Sequence, residues 1–251
     1  MHGGVAVRGG ATFVLSGRNS VITRNVQPSG GGVHLVGGCG FAPLFIMSAG
    51  AIRGNVANNT GGGVYVGGGV FQLEGGTIDN NRATTGGGLS IANRANVSMV
   101  MRDNALIAYN TATAFGGGVF ISGGGHLSLA RGTIRHNTAA HGGGVFQSYN
   151  SNFTMSGAGG TISSNRASVN GGGVTLNRGA VFSLSGGNIL TNTATQWGGG
   201  VVLSQGTRMT MSAGLISGNR AGSGNGIWTD TSTTFTRTGH GGTINDTIVR
   251  R

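Results

Sequence analysis

The sequence lacks several residue types that common protein classes require. Its 251 residues contain no lysine, one cysteine and two prolines. A phosphate-binding P-loop needs a lysine, so that class is excluded. The lone Cys39 cannot form an intramolecular disulfide, which excludes a disulfide-stapled scaffold. No apolar run reaches the ~18 residues of a transmembrane helix, so no such segment is expected.

Carboxylates are also scarce, which bears on catalysis. There are five acidic residues. A glycoside hydrolase needs two carboxylates about 5–10 Å apart, and a calcium-dependent lyase needs several. Three of the five fall in two successive repeats, and they are the catalytic candidates: Glu74, Asp79 and Asp103. A rung-to-rung ion pair between Arg53 and Asp79 explains part of that concentration without catalysis.

The charge that is present is almost all arginine. Sixteen arginines give a formal net charge of +11. Such a charge favours a polyanionic partner such as an acidic surface glycan, although singly spaced arginines can also serve only solubility. No specific nucleic-acid partner, no cofactor and no metal is expected. His126, His136 and His141 fall on different sides of the predicted coil, with no cysteine nearby to complete a zinc site.

Glycine is in excess, with 55 residues, and it recurs in a regular pattern. Gly-Gly followed by an aliphatic residue returns once per repeat, and so does Ile-x-x-Asn, each with a mean period of about 28 residues. Between these two markers lies a Phe-x-Leu or Phe-x-Met segment, as at residues 71–73 and 182–184. A fixed period of this length is typical of a solenoid.

Three alternating segments per repeat predict three short strands per coil. No window shows the 3.6-residue period of a helix. The sequence therefore predicts an all-β protein, a parallel β-helix of about nine coils that forms a single domain over residues 1–251. Right-handed winding is the general expectation for parallel connections. Stacked coils place like residues on like residues, which buries a continuous core of phenylalanine, valine and isoleucine columns.

The asparagine of Ile-x-x-Asn predicts a polar ladder along the axis. Stacked side-chain amides can hydrogen-bond from coil to coil and so satisfy a buried polar group. The predicted members are Asn25, Asn55, Asn81, Asn110, Asn137, Asn165, Asn192 and Asn219. The glycines are expected at corners that need a positive φ or a close backbone approach.

The stretch GGGVTLNRGAVFSLSGGNILTNTAT at residues 171–195 resembles the right-handed parallel β-helix repeats of bacterial surface proteins. These include autotransporter passengers and polymorphic outer-membrane-protein repeats, and the fold is the pectin-lyase-like one. The likeness extends over essentially the whole chain. It implies an architectural role for residues 62–64 and 117–119 and for Asn137, Asn165 and Asn192, and it implies no catalytic residue. The usual Phe-x-x-Asn of the polymorphic repeats is Ile-x-x-Asn here.

Two outward-facing surfaces are candidates for contact with a partner. An aromatic stripe on the first strand predicts a glycan platform or a partner surface, unless loops of the chain itself cover it; its members are Tyr65, Phe120, Phe146 and Trp228. A hydroxyl face on the second strand resembles the faces of ice-binding β-helices, although ordinary solvated strands are also rich in hydroxyls. Its members are Thr154, Ser156, Ser183, Ser185, Thr210 and Ser212.

Taken together, the sequence predicts a non-enzymatic, extracellular or cell-surface element with a structural and adhesive role. A carbohydrate-active enzyme of the same fold, either a lyase or a hydrolase, is the alternative, and an ice-binding protein is the third. Neither end shows a cap, and solenoids need caps, so self-association through open ends into a fibre is expected. The start lacks the features of a signal peptide, so the chain is expected to be a fragment or a mature form.

Overall fold

The computed structural model describes residues 4–38, 41–91, 97–239 and 241–251. Cys39 lies outside these ranges. Within them, every regular element is a β-strand, and all pairings between strands are parallel. The strands form three sheets that wind into a β-solenoid with a period of about 28 residues, as the repeat predicts; it has about eight turns, against the nine coils predicted. The handedness of the winding stays a prediction.

Sheet A begins directly after the glycine corners and runs the whole length of the solenoid. Its ten strands are Val5–Arg8, Val33–Val36, Val64–Val66, Leu89–Ile91, Val119–Ile121, Val145–Gln147, Val174–Leu176, Val201–Leu203, Ile227–Thr229 and Ile248–Arg250.

Sheet B contains both the phenylalanine and the isoleucine segments. Its strands are Thr12–Leu15, Val21–Thr23, Leu44–Met47, Ala51–Arg53, Val70–Leu73, Thr77–Asp79, Ser98–Met101, Leu106–Ala108, His126–Arg135, Asn152–Ser163, Val181–Leu190, Arg208–Ser217, Thr234–Arg237 and Thr243–Ile244.

Sheet C follows the ladder asparagines. Its strands are Val26–Ser29, Val56–Thr60, Arg82–Thr85, Thr111–Phe115, Thr138–His141, Arg166–Asn170 and Thr193–Ala194.

The division of each coil into strands differs from the predicted one. The isoleucine segment does not form a sheet of its own but belongs to sheet B together with the phenylalanine segment. In the later coils the two segments are one strand, as in His126–Arg135. The third sheet is sheet C, where a buried alanine such as Ala112 or Ala139 points inward. A recurrent alanine is its main sequence signal, and alanine is depleted in strands, so the pattern did not predict this sheet.

The core consists of the predicted columns of like residues. Phe45 and Phe71 stack with ring centroids 4.5 Å apart, and Phe153 and Phe182 stack at 4.6 Å. Methionine and leucine fill the rungs between the two pairs. The isoleucine column is in register from Ile22 to Ile244, and most of its members are fully buried. Burial of such columns is the main stabilising term, at roughly 25 cal/mol per Å² of apolar surface.

The asparagine ladder is present as predicted, and all its members but Asn25 are buried. Asn137 is representative: its Nδ2 donates to Asn165 Oδ1 in the next coil, 3.0 Å, and to Ile107 O in the previous coil, 3.0 Å. Its Oδ1 accepts from both N and Nδ2 of Asn110, at 2.9 and 3.0 Å. Each internal amide is therefore satisfied on both sides, and aligned hydrogen bonds of this kind strengthen one another.

Asp246 takes the next position after Asn219 and completes the ladder. Its carboxylate accepts from Asn219 Nδ2 at 2.8 Å, from Asn219 N at 2.9 Å and from Gly218 N at 2.9 Å. Each ladder asparagine donates from its backbone N and from Nδ2 to the side-chain oxygen of the next member, so an acceptor-only side chain suits the last place. The sequence pattern did not predict this role for Asp246.

Glycine triplets form the corners between sheets C and A, and each of the three places needs glycine for a physical reason. At the corner of residues 116–118, Gly116 has a φ of 64°, a conformation that favours glycine. A Cβ on Gly117 would lie 2.5 Å from Gly143 O, and one on Gly118 would lie 2.7 Å from Gly144 O. The second and third glycines thus allow successive coils to stack at backbone distance.

The residue before each ladder asparagine also has a positive φ, although it is seldom glycine. The members are Arg24, Gly54, Asn80, Tyr109, His136, Ser164, Thr191 and Gly218. A left-handed conformation costs a non-glycine residue about 1–2 kcal/mol. It occurs here because the following asparagine must direct both its backbone and its side-chain N–H groups at the next coil.

Candidate functional site

The candidate site lies at the outer corner where sheet C passes through the glycine triplets into sheet A. The residues directly before successive triplets pair in register from coil to coil. They are Phe115, His141 and Asn170, each of which ends a strand of sheet C, and Trp197, which continues the column by an isolated bridge to Asn170. The outward positions of sheet A form a second column beside it, which runs Phe120, Phe146, Thr175, Val202 and Trp228. The two columns face the same corner for several coils.

Between these columns lies a cleft of about 350 Å³. One wall contains Phe115, His141, Asn170 and Trp197 from the sheet C column. The other contains the sheet A column from Phe146 to Trp228, followed by residues of the next turn, among them Asn177 and Asp230. The size is at the lower end of the ~300–1,000 Å³ that is usual for small-molecule sites.

Aromatic rings occupy both ends of the cleft. At one end, Phe115 lies 4.6 Å from Phe146 and 6.5 Å from Phe120, centroid to centroid. At the other end, Trp197 and Trp228 stack at 4.7 Å with their planes 8° apart. Trp228 is only 7% exposed, whereas Trp197 keeps 38% of its surface exposed. The pair therefore presents an indole surface to solvent on a rigid, buried support.

The predicted aromatic stripe is only partly one site. Phe146 and Trp228 line the cleft, and Phe120 stacks on Phe146 at 5.8 Å. Tyr65 lies apart from them and makes an edge contact with His34 at 4.9 Å. The alternative was cover by loops of the chain itself. What packs beside the stripe is a side chain from the end of a sheet C strand, Phe115 on Phe146.

Phe115 and Trp197 are site residues that the sequence reasoning missed. Both directly precede a glycine triplet, the position that ends the sheet C strand at Phe115 and forms an isolated bridge at Trp197. That position varies between serine, threonine, asparagine and aromatic residues, so it does not stand out as a repeat marker. Its fixed offset from the triplet is the signal that could have identified these two residues.

Several polar atoms of the cleft have no hydrogen-bond partner within the described residues. They are Asn170 Oδ1, Asn177 Oδ1 and Trp228 Nε1, and all three atoms are buried. A buried polar atom without a partner costs about 1–3 kcal/mol. Such atoms are rare in folded proteins. Of the six that occur among the described residues, these three belong to residues that line the cleft.

The cleft carries little charge. Its lining includes no arginine, and its titratable lining residues are His141 and Asp230. Burial lowers the pKa of His141 below its ordinary value of 6.5, and its ring stacks on Phe115 at 5.5 Å. The Asp230 carboxylate accepts hydrogen bonds from Gln205 N and from Ser232 N, both at 2.9 Å. It therefore fixes the neighbouring turns.

The structure does not assemble the carboxylate candidates into one site. Asp103 lines a separate surface cavity of about 520 Å³ with Arg131, and neither Glu74 nor Asp79 lines it. Asp79 faces Arg53 in register, but the hydrogen bond that the structure records to its carboxylate comes from Asn80 Nδ2, at 2.7 Å. In the described ranges, no group of three or more His, Cys, Asp or Glu side chains is placed to bind a metal ion.

The hydroxyl face is only half regular. Thr154, Ser183 and Thr210 are in register on successive rungs, as predicted. The other three predicted members, Ser156, Ser185 and Ser212, do not pair with one another, because β-bulges shift the register. Ser185 pairs with Ala213 instead. A bulge adds a residue to one strand and so turns the following side chains out of line.

The fold and the corner geometry define the class of this protein, a β-solenoid with three parallel sheets and a buried asparagine ladder. Comparisons with protein-family models, with curated proteins and with solved structures give no match for this chain. Across the residues that the structure covers, no helix is long and apolar enough to span a membrane.

Proposed function

We propose that this chain is a non-enzymatic structural and adhesive element of a cell surface or extracellular space, and that its aromatic cleft is the contact surface. The cleft is the observation that carries the proposal. Apart from it, the coils repeat one another closely, whereas the cleft concentrates aromatic rings and unpaired polar atoms in a few adjacent coils.

The rest of the solenoid suits a rigid support. Core columns and the ladder link each coil to the next along the axis. A structure held by nearest-neighbour interfaces can carry a site at a fixed place on a long surface. The resemblance to bacterial surface repeats supports the same role and the same location.

Self-association through the end strands is a second part of the proposal. Val5–Arg8 and Ile248–Arg250 each pair with one neighbour in sheet A. Strand edges of this kind can template pairing with another chain. Sedimentation velocity over a range of concentrations, with electron microscopy, tests this part. Growing rods support it, and a monomer at every concentration contradicts it.

Adhesion is tested with beads that carry the full chain, flowed over intact cells and over polysaccharide gels. We expect retention of the beads, a several-fold loss of retention for Trp197→Ala, and no soluble sugar product. The matched control is Tyr109→Ala, because Tyr109 is an exposed aromatic residue at a different corner.

Two results would contradict this proposal. Release of soluble or unsaturated oligosaccharides would favour the carbohydrate-active enzyme instead. Retention that neither cleft variant nor control changes would show that the cleft is not the contact surface. Freezing hysteresis measured on the same sample tests the ice-binding alternative.

A further inference from the structure

We infer that the aromatic cleft binds an uncharged saccharide, with the Trp197–Trp228 pair as its platform and the unpaired polar atoms around it as its hydrogen-bond partners. This inference rests on the proposed adhesive function and specifies its ligand. It assigns a ligand class that the composition of the chain does not suggest, since the net charge of +11 favours a polyanion.

The first argument is the chemistry of the unpaired atoms. Asn170 Oδ1 and Asn177 Oδ1 are acceptors and need a donor, whereas Trp228 Nε1 is a donor and needs an acceptor. A hydroxyl group can serve in both roles. A ligand with several hydroxyl groups can therefore satisfy all three atoms, which a ligand with only donors or only acceptors cannot do.

The second argument is the aromatic surface. A pyranose ring has an apolar C–H face and a polar rim of hydroxyl groups, so it packs on an indole while its rim meets amides. Trp228 is nine-tenths buried and holds Trp197 in place by a stack of 4.7 Å. Trp197 remains partly exposed beside the cleft. Mostly apolar walls with few convergent polar groups are typical of small-ligand sites.

The third argument is charge. Arginines are spread along the exposed surface of the solenoid, yet none lines the cleft. Its titratable groups are a histidine with a lowered pKa and the carboxylate of Asp230. An acidic sugar in this cleft would meet that carboxylate and no compensating cation, which is unfavourable. An uncharged sugar meets no such cost.

Tryptophan fluorescence gives a direct readout, because the chain has two tryptophans and both line the cleft. The full chain is titrated with cellohexaose, laminarihexaose and mannohexaose, and separately with hexagalacturonate and a heparin hexasaccharide. Calorimetry follows the same titrations. We expect a saturable emission change with at least one uncharged hexasaccharide. Its affinity should change less than about twofold between ~50 and ~500 mM salt, because uncharged contacts are not screened.

Variants then assign the binding to the cleft. Trp197→Ala should weaken binding about tenfold, measured by calorimetry because a fluorophore is lost, a loss that corresponds to ~1.4 kcal/mol. Asn177→Ala should weaken it several-fold and keeps both tryptophans. Tyr109→Ala should leave binding unchanged. Circular dichroism checks that each variant is folded, and Asn177→Ala decides the matter if Trp197→Ala does not fold.

Either of two outcomes overturns the inference. One is binding confined to the charged probes, weakened by salt and unaffected by the cleft variants. That result would place the contact on the arginine-bearing surface and would not contradict the adhesive function. The other is no saturable binding to any uncharged hexasaccharide. In that case the bead assay still decides on adhesion separately, because retention on cells does not depend on these probes.

Discussion

The asparagine ladder and the aromatic cleft share several coils, and both bury atoms of asparagine side chains. They differ in whether those atoms have hydrogen-bond partners within the chain. In the ladder, Asn137 uses both its Nδ2 hydrogens and its Oδ1 within the chain. At the cleft, Asn170 and Asn177 each keep a buried Oδ1 with no partner in the described structure.

The difference arises because only a residue that recurs in every coil can find its hydrogen-bond partner in the neighbouring coil. Where every coil has the same residue, each polar group finds its partner one coil away, so the ladder satisfies itself. At the cleft the residue types change from coil to coil, and no neighbour supplies the missing donor. The ladder is therefore an internal structural element, whereas the cleft is where we propose that a ligand supplies the missing partners.

Breaking the ladder should have the largest effect. Asn137→Leu removes the acceptor of Asn110 N and Asn110 Nδ2, and it removes a donor from Ile107 O. At about 1–3 kcal/mol for each unsatisfied buried group, we expect a loss of roughly 3 kcal/mol or more in the free energy of unfolding. Urea unfolding measures it. Asn59→Leu at an exposed position is the control, and equal losses for both variants would contradict a structural ladder.

Adding a Cβ at a glycine of the triplet corner should have the second largest effect on stability. Gly118→Ala places a Cβ 2.7 Å from Gly144 O and 2.8 Å from Ile134 Cγ2, so the coils must separate. Overpacking of this kind costs about 1–3 kcal/mol. The thermal unfolding midpoint should fall accordingly. Gly38→Ala, where a Cβ meets nothing within 4 Å, should leave it unchanged, and a drop for both would point to a different cause.

Acidification should lower the free energy of unfolding by a smaller amount, through His141 at the cleft and through His34. Burial lowers the pKa of His141, and burial with Arg8 lowers that of His34, both from 6.5. The unfolded chain then binds more protons, so this contribution is full above about pH 6.5 and is lost as pH falls through the folded-state values. Unfolding curves from pH 8 to pH 5 measure it. His141→Gln should flatten the dependence, whereas an unchanged slope would contradict the role of His141.

The smallest effect on the free energy of unfolding should follow when the same asparagine-to-leucine substitution is made at the cleft. Asn177→Leu breaks no hydrogen bond that the structure records for this side chain, and it removes an unpaired acceptor. We expect the free energy of unfolding to change by less than ~0.5 kcal/mol, as for ordinary partly exposed positions. The same urea experiment compares it with Asn137→Leu. A loss close to that of Asn137→Leu would remove the distinction between the two regions.

Much of the interior could be predicted from the sequence, because each feature there is a repeated local pattern. Ile-x-x-Asn gives the ladder and the isoleucine column, and Phe-x-Leu gives the ring stacks such as Phe45 with Phe71. The site was predictable only in part. Phe146 and Trp228 follow from strand alternation. Phe115 and Trp197 lie on the other side of the glycine corner, and their proximity to the first two depends on how the chain turns that corner.

The repeat pattern was enough to predict the solenoid, its period of about 28 residues and the members of the ladder, because a periodic chain must stack like residues on like residues to bury its apolar side. Three features appear only in the folded chain: the positive φ of Tyr109 and His136, the shifted register at Ser185 and the cleft between sheets C and A. Each of these results from contacts between different coils or different sheets. The spacing of residues within one repeat does not show which residues of other coils or sheets they contact.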